Sequence, residues 1–147
     1  MAPRLCTLLL ALVALPAAAL DFRSIAEPAL LYDAPSAQAA RRFIIARGTP
    51  LELVLANGAW SKVRDAQGDM AWIESRALST QRTVMVRADR AQIRSQADDK
   101  SPLVFEAGRD VVLDLVDATS TVPAGWARVR HRDGQQGYVR IPQIWGL

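Results

Sequence analysis

The chain has 147 residues, with 18 lysines and arginines against 15 aspartates and glutamates, and its formal net charge at pH 7 is only +3. The charges are interspersed and form no block of one sign, which argues against a nucleic-acid-binding protein. One cysteine and one histidine exclude a disulfide framework and a metal site built from several histidines. We therefore expect a protein without metal or cofactor, held together by its apolar core.

Residues 1–19 are typical of a secretory signal peptide. One basic residue precedes an apolar run over residues 8–15, and small residues follow over 16–19. The apolar run is shorter than the roughly 18–20 residues that span a membrane, so we expect cleavage after Ala19 and no membrane span in the mature chain. Cys6 would leave with this segment. The sequence thus predicts an exported protein, periplasmic or secreted.

Short apolar runs separated by turn residues predict a first unit of five strands behind a lead-in over 20–26. The predicted strands are 28–32, 42–46, 51–55, 60–64 and 70–73, and a single 3₁₀ turn over 74–78 closes the unit. No long amphipathic helical pattern is present, which favours an all-β fold.

A second unit repeats this order behind an extra strand at 83–86 that would bridge the units. Its predicted strands are 91–94, 103–105, 111–116, 126–130 and 137–140, and residues 141–144 close it. Residues 103–105 are matched to 43–45, and Gly108 to Gly48. On that matching, residues 119–124 make the loop before the second tryptophan six residues longer than its counterpart.

One stretch occurs in both units with a constant offset of 66 residues. The matched positions are Trp60 and Trp126, Val63 and Val129, Arg64 and Arg130, Gly68 and Gly134, Trp72 and Tyr138, and Ile73 and Val139. The turn glycines in this stretch predict a hairpin in each unit. We therefore expect two domains of the same fold, residues 24–79 and residues 82–147.

Side chains alternate between the two faces of a strand, so one face of each hairpin must point to the core. The residues assigned to the core are Val63, Ile73, Val129 and Val139. The aromatic residues assigned to the opposite, solvated face are Trp60, Trp72, Trp126 and Tyr138. Two interpretations of these aromatics remain open: they form a ligand platform, or they pack beneath a loop or between the units.

No combination of residues predicts catalysis. His131 lies beside a hairpin turn and is expected to be solvated, and no nucleophile-elbow motif accompanies it. The neighbouring acids Asp98 and Asp99, and the pair Asp110 and Asp114, are read as solvated loop and strand residues rather than as a glycosidase pair. Phosphate-binding and calcium-binding loop motifs are absent from the sequence. We expect no catalytic residue, and hence a protein that is not an enzyme.

The layout resembles the bacterial SH3-like family (SH3b domains), which occurs in many exported cell-envelope proteins. The resemblance rests on the Gly-Trp-x-x-Val strand start and on the trios Ala71-Trp72-Ile73 and Gly137-Tyr138-Val139. It implies two tandem small SH3-like β-barrels with short 3₁₀ turns. It also implies an aromatic groove in each unit, lined by Tyr32, Trp60 and Trp72 in the first and by Trp126 and Tyr138 in the second, where Arg94 replaces Tyr32.

The resemblance implies a non-catalytic binding module for a cell-wall (peptidoglycan) peptide or a periplasmic or envelope protein. Lys62 and Arg64 would pair with a carboxylate of that ligand. Binding of proline-rich peptides is not implied, because Glu74 follows Ile73 where eukaryotic SH3 domains carry the groove proline. The alternative is a structural or adaptor protein without a small ligand, whose aromatics pack the interdomain or an oligomer interface. A third reading, a small envelope hydrolase, lacks a nucleophile and base.

Overall fold

Two antiparallel sheets of seven strands each make up the protein. The structure is a computed structural model that describes residues 19–117 and 122–147. Unit 1 contains β1 (Phe22–Ile25), β2 (Ala29–Tyr32), β3 (Arg41–Ile45), β4 (Pro50–Asn57), β5 (Trp60–Arg64), β6 (Met70–Glu74), the 3₁₀ helix η1 (Ser75–Ala77) and β7 (Leu78–Ser79). Unit 2 contains β8 (Thr83–Val86), β9 (Arg90–Arg94), β10 (Leu103–Gly108), β11 (Val112–Asp117), β12 (Trp126–Arg130), β13 (Gln136–Arg140), the 3₁₀ helix η2 (Ile141–Gln143) and β14 (Ile144–Trp145).

The two sheets have the same strand order, β3-β2-β6-β5-β4-β1-β7 in unit 1 and β10-β9-β13-β12-β11-β8-β14 in unit 2. The predicted all-β class is confirmed. Within residues 19–117 and 122–147 no hydrogen-bonded ladder joins the two end strands of either sheet, so neither sheet closes into a complete barrel. The end strands β7 and β14 have two residues each, which leaves few backbone groups for a closing ladder.

Each unit encloses its own apolar core, built from the inward residues of its strands. The four residues that strand alternation assigned to the core are Val63, Ile73, Val129 and Val139, and each is at most 1% exposed. Full burial of such a side chain contributes about 1.5–3 kcal/mol. The prediction of the core face is confirmed. Burial of these residues determines which face of the β5–β6 and β12–β13 hairpins points inwards.

Turn chemistry sets the two hairpins in the predicted register. Gly68 and Gly134 adopt φ angles of 94° and 96°, a left-handed conformation that costs glycine little. In the first turn the Asp65 carboxylate accepts hydrogen bonds from the backbone N–H groups of Gln67 and Asp69 at 3.0 and 2.9 Å. Trp60 then lies opposite Glu74, and Trp126 opposite Arg140.

The segment expected to be a lead-in is a strand, and the strand expected to be extra is its counterpart. β1 pairs with β4 and β7, and β8 makes the same pairings with β11 and β14. β8 is thus the first strand of unit 2, and it lies in that sheet alone. β1 begins at Phe22, two residues before the predicted domain start at 24. A four-residue strand is too short to show a periodic pattern, which explains the wrong prediction.

The sequence match between Gly48 and Gly108 is also wrong. The N–H of Gly48 donates to the Ile25 carbonyl at 2.8 Å, and the N–H of Asp110 makes the same bond to the Val86 carbonyl at 2.9 Å. Both residues have positive φ, 82° for Gly48 and 67° for Asp110. Aspartate is among the few residues that tolerate this conformation, and Gly108 instead ends β10.

With this correction, corresponding residues of the two units around Gly48 and Asp110 are 62 residues apart in the sequence, rather than 60. Phe43 pairs with Leu31, and Phe105 pairs with Ile93, so Phe105 and not Leu103 corresponds to Phe43. The loop before Trp126 is then longer than its counterpart by four residues rather than six. Part of that predicted long loop, residues 119–121, lies outside the described residues.

The two units touch through the strands next to their connecting segment. The Thr83 hydroxyl donates to the Gly48 carbonyl at 2.6 Å. The Phe22 ring meets Trp145 edge to face, with centroids 5.0 Å apart, and the Arg82 guanidinium lies 5.8 Å from the Phe22 ring. This aromatic pair between the units was not singled out by the sequence.

The predicted signal peptide falls, apart from its last residue, outside the described residues. Over residues 19–117 and 122–147, no helix has the length and apolar character that crossing a membrane requires.

Candidate functional site

The outer face of the β5–β6 hairpin and of the adjoining strand β2 brings together four of the predicted site residues. Lys62 and Tyr32 both lie opposite Trp72 in their strand pairs. The Tyr32 and Trp60 rings meet edge to face, with centroids 5.3 Å apart and planes at 89°. The Lys62 ammonium lies 6.0 Å from the centroid of the Trp72 ring. The aromatic cluster of unit 1 therefore exists as a contiguous surface.

This cluster is less exposed than strand alternation alone suggests. Tyr32 is only 6% exposed, whereas Trp60 and Trp72 are half-buried. The edge-to-face contact with Trp60 is one reason that Tyr32 is covered. Tyr32 thus leaves little of its surface in water, while the half-buried tryptophans leave more.

Arg64 forms an ion pair within the protein. Its Nη1 lies 3.0 Å from Oε2 of Glu52, whose side chain is only 11% exposed. A carboxylate this buried needs a compensating charge, so Arg64 first serves to neutralise Glu52. Of the two predicted cations, Lys62 is the better placed to meet a ligand carboxylate.

A groove of about 550 Å³ opens next to Tyr32, and we call it the Ile44 groove. Leu30 and Ile44 lie opposite each other on β2 and β3 and form an apolar wall. Ile44 is 71% exposed, which is high for a large apolar side chain. At another part of the lining, the Arg76 guanidinium contacts the Glu74 carboxylate at 2.5 Å. The groove combines an apolar wall with an ion pair.

Leu30 and Ile44 were not among the site residues predicted from the sequence. The signal was present in the unbroken apolar run Phe43-Ile44-Ile45. In an edge strand that packs only one face on the core, one residue of such a run must point outwards. The core takes Ile45, which is 6% exposed, and leaves Ile44 on the surface.

The corresponding surface of unit 2 is polar. The pair Leu30–Ile44 is replaced at the same register position by Gln92–Glu106. Glu106 in turn pairs with Arg90, at 3.3 Å. The apolar wall is therefore a feature of unit 1 that unit 2 does not share.

Trp126 is 6% exposed, so the prediction that it lies on a solvated face is wrong. The Arg140 guanidinium stacks over its ring, 4.3 Å from the centroid, and pairs with the carboxylate of Asp99 at 2.5 Å. The hydrogen bond from Arg140 is the main reason that the pKa of Asp99 lies below its usual value. Strand alternation was correct, but a side chain from the neighbouring strand covers the indole.

The remaining predicted residue of unit 2, Tyr138, is half-buried between two arginines. It lies opposite Arg128 on β12 and Arg94 on β9. Arg94 occupies the place that Tyr32 has in unit 1, as the sequence predicted, and donates to the Ser101 carbonyl at 2.8 Å. Unit 2 therefore surrounds its aromatics with arginines that already have partners.

The residues considered for catalysis serve turns and ion pairs. His131 is half-buried against the Phe105 ring, with centroids 5.8 Å apart, and not solvated as predicted. Its Nδ1 lies 3.1 Å from Oδ1 of Asp133, whose pKa is lowered chiefly by a hydrogen bond from the backbone of Gln135. Asp114 pairs with Arg130 at 3.3 Å. In the part of the chain that the structure describes, no three acidic, histidine or cysteine side chains cluster as metal ligands.

Comparison with known proteins gives a family match and several structural likenesses. The model of a family described as bacterial SH3 domain matches residues 26–80 and again residues 87–146. A comparison with curated proteins finds none that matches.

Similar solved structures include NlpC2 and NlpC1 of Trichomonas vaginalis and an NlpC/P60 family protein of Bacillus cereus. They are 12%, 14% and 15% identical to this chain, with TM-scores of 0.38, 0.37 and 0.38. The alignments cover 88%, 95% and 85% of this chain but 49%, 50% and 56% of those proteins. The chain thus spans about half the length of these proteins.

Proposed function

The chain belongs to the bacterial SH3 domain family, in two tandem copies, and we propose that it is a non-catalytic, exported binding module of the cell envelope. Its ligand is a cell-wall peptide or an envelope protein, held by unit 1. Binding of cell-wall components is common in this family, which supports the proposal. The signal-peptide pattern of residues 1–19 supports export, which cell fractionation would test.

The observation that carries the proposal is the Ile44 groove beside the aromatic cluster of unit 1. A 71% exposed isoleucine next to Leu30 and Tyr32 leaves apolar surface in water. A ligand that covers it gains about 25 cal/mol per Å² of apolar area removed from water. Half-buried Trp60 and Trp72 extend this surface with aromatic faces that suit apolar and peptide groups. Lys62 provides a cation for a ligand carboxylate.

Unit 2 has the same fold but a surface suited to a structural role. Gln92 and Glu106 replace the apolar wall, and Arg140 occupies the face of Trp126. An arginine already stacked and paired with Asp99 must be displaced before a ligand reaches that indole. We assign ligand binding to unit 1 and the support of its orientation to unit 2.

The test is binding of Ile44→Thr and Trp60→Ala variants to isolated bacterial cell-wall sacculi and to envelope extract. Threonine keeps a β-branched side chain on β3, so the fold is unaffected, but it removes apolar wall. Each variant should bind at least about fivefold more weakly, equivalent to about 1 kcal/mol. Leu103→Thr is the matched control, because Leu103 is a 47% exposed strand residue on the corresponding edge strand β10 of unit 2, away from the proposed ligand surface.

Two results would contradict the proposal. In the first, Ile44→Thr binds as tightly as the unchanged protein. In the second, Trp60→Ala loses several degrees of melting temperature and keeps normal binding, which would make Trp60 a purely structural residue. Hydrolysis of sacculi by the purified protein would overturn the non-catalytic part.

A further inference from the structure

A second cavity, of about 970 Å³, lies between the two units, and we call it the inter-unit cleft. Unit 1 contributes residues 24–27, residues 47–48 and Ser79, and the connecting segment contributes Gln81. Unit 2 contributes Thr83, Val111, Val112, Asp114 and residues 131–132. Its volume lies within the roughly 300–1,000 Å³ of small-ligand pockets. The cleft is therefore large enough for a short peptide.

Two hydrogen bonds hold the walls of the cleft in place, one between the units and one from unit 1 to the connecting segment. The Thr83 hydroxyl donates to the Gly48 carbonyl at 2.6 Å, and both residues line the cleft. The Ser24 hydroxyl of unit 1 donates to the Gln81 carbonyl of the connecting segment at 2.8 Å. A cavity formed before the ligand arrives spares the ligand the cost of ordering it. The cleft is thus a preformed site rather than a gap between freely moving domains.

Each wall carries one acidic and one basic side chain. Unit 1 provides Glu27 and Arg47, and unit 2 provides Asp114 and Arg132. Glu27 and Arg47 approach each other only to 4.0 Å, and their side chains are 77% and 73% exposed. Such a loose surface pair contributes little to stability, so both groups remain available to a ligand. Asp114 is already neutralised by Arg130 at 3.3 Å.

Two half-buried apolar side chains also line the cleft. Val111 and Val112 line the cleft and are partly covered by the fold. Small apolar groups of a ligand can be removed from water against them. The lining therefore combines one acidic and one basic side chain on each wall with a modest apolar surface.

We propose that the inter-unit cleft binds a short zwitterionic peptide with both ends free. The carboxylate pairs with the Arg132 guanidinium, whose planar fork can donate two parallel hydrogen bonds. The ammonium group pairs with Glu27 on the opposite wall, since Asp114 already has a cation. An extended tripeptide spans about 10 Å, and small side chains fit against the valines. This site shares only Ala26 and Glu27 with the lining of the Ile44 groove, and it does not rest on the function proposed for that groove.

The test is titration of the purified protein with tri-alanine, followed by two-dimensional NMR of the backbone amides. Saturable shifts are expected at Gly48, Thr83 and Val112. N-acetylated and C-amidated tri-alanine each remove one of the ligand's charges, and each should bind at least about tenfold more weakly. The N-acetylated peptide tests the contact with Glu27 in place of a Glu27 variant. Glu27 also lines the Ile44 groove, so a substitution there would change both sites.

Arg132→Gln should weaken the unblocked peptide by about tenfold while the melting temperature stays unchanged. Arg90→Gln is the matched control, since Arg90 is a 71% exposed, ion-paired arginine away from the cleft, and its variant should bind normally. Ile44→Thr should also bind tri-alanine normally, which separates this site from the groove. The proposal is wrong if saturable shifts are absent, if Arg132→Gln or the blocked peptides bind with unchanged affinity, or if the shifts map to the Ile44 groove.

Discussion

At the scale of single residues, the two units adopt the same backbone conformation at corresponding turns with different residues. Gly48 and Asp110 both take positive φ at the turn that leads into the long strand of their unit. Sequence matching found the glycine and passed over the aspartate, because a left-handed aspartate has no distinctive neighbour pattern. Only the repeated hydrogen bond to Ile25 or Val86 identifies the pair.

Gly48→Ala should therefore destabilise the protein by about 1–2 kcal/mol, the cost of an L side chain in the left-handed region. A β-carbon at Gly48 meets Val112 Cγ1 at an ordinary 3.7 Å, so backbone conformation and not a clash sets this cost. Asp110→Gly should cost much less. Urea denaturation measures both.

Gly108→Ala is the control for this comparison. Gly108 does not have a positive φ, and a β-carbon added there would lie 4.0 Å from the nearest atom, the Asp89 carbonyl oxygen. The substitution should be neutral or stabilising by about 0.4–1 kcal/mol. Equal losses for Gly48→Ala and Gly108→Ala would contradict the assignment of Asp110 as the counterpart of Gly48.

At the scale of elements, an ion pair ties a loop of unit 2 to its β-hairpin. Arg140 on β13 bonds to Asp99, which lies in the segment between β9 and β10, and stacks on Trp126 of β12. The same hydrogen bond raises the pKa of Arg140 and lowers that of Asp99. Three segments thus meet at one guanidinium.

The pH dependence of this contact follows from the lowered pKa of Asp99. Ionised Asp99 favours the folded state, so its contribution is present above the unfolded-state pKa of about 3.9. That contribution is lost as pH falls through the lower folded-state pKa. Acidification through this range should loosen the loop from Trp126 without unfolding the hairpin.

NMR titration of the Asp99 carboxyl group measures the effect directly. Arg140→Gln should raise the pKa of Asp99 towards its usual value and increase quenching of Trp126 fluorescence. Arg128→Gln, which removes an arginine from the neighbouring strand β12, should change neither. An unchanged Asp99 pKa in Arg140→Gln would contradict the assigned cause.

At the scale of the whole molecule, the relative orientation of the units depends on contacts between the units, which are not part of the repeated fold. Phe22 of unit 1 packs edge to face on Trp145 of unit 2, and Phe22 is 3% exposed. The Arg82 guanidinium lies beside Phe22 and donates to the Gly146 carbonyl at 2.9 Å. The connecting segment is thus held by both units.

Phe22→Ala and Trp145→Ala should each lower the coupling between the units. An edge-to-face pair contributes about 0.5–1.5 kcal/mol beyond its buried area, which a double-mutant cycle measures. NMR relaxation should then show faster, separate tumbling of the two units. Phe43→Ala is a control for loss of an aromatic ring, because Phe43 is 44% exposed on the edge strand β3. Additive effects of Phe22→Ala and Trp145→Ala would show that this contact does not couple the units.

The candidate site divides between what the sequence predicted and what it missed. Tyr32, Trp60, Trp72 and Lys62 were predicted and lie together on unit 1. Ile44 was missed because its exposure depends on β3 being an edge strand, which is a property of the complete sheet. Arg64 was predicted as a ligand partner, yet Glu52 from β4 engages it.

Residues close together in the chain specify most of the strands, the hairpin turns and the core face, so the sequence was sufficient to predict them. The duplication of the fold was predicted from the constant offset of 66 residues between matched positions. Alternation has a period of two, and a turn needs its glycine within a few positions. Tertiary structure was needed to find that Arg140 covers Trp126, that Asp110 replaces a glycine, and that Phe22 and Trp145 join the units. The two aromatic contacts depend on which distant side chain covers a surface, and strand alternation assigns a face without specifying what lies over it.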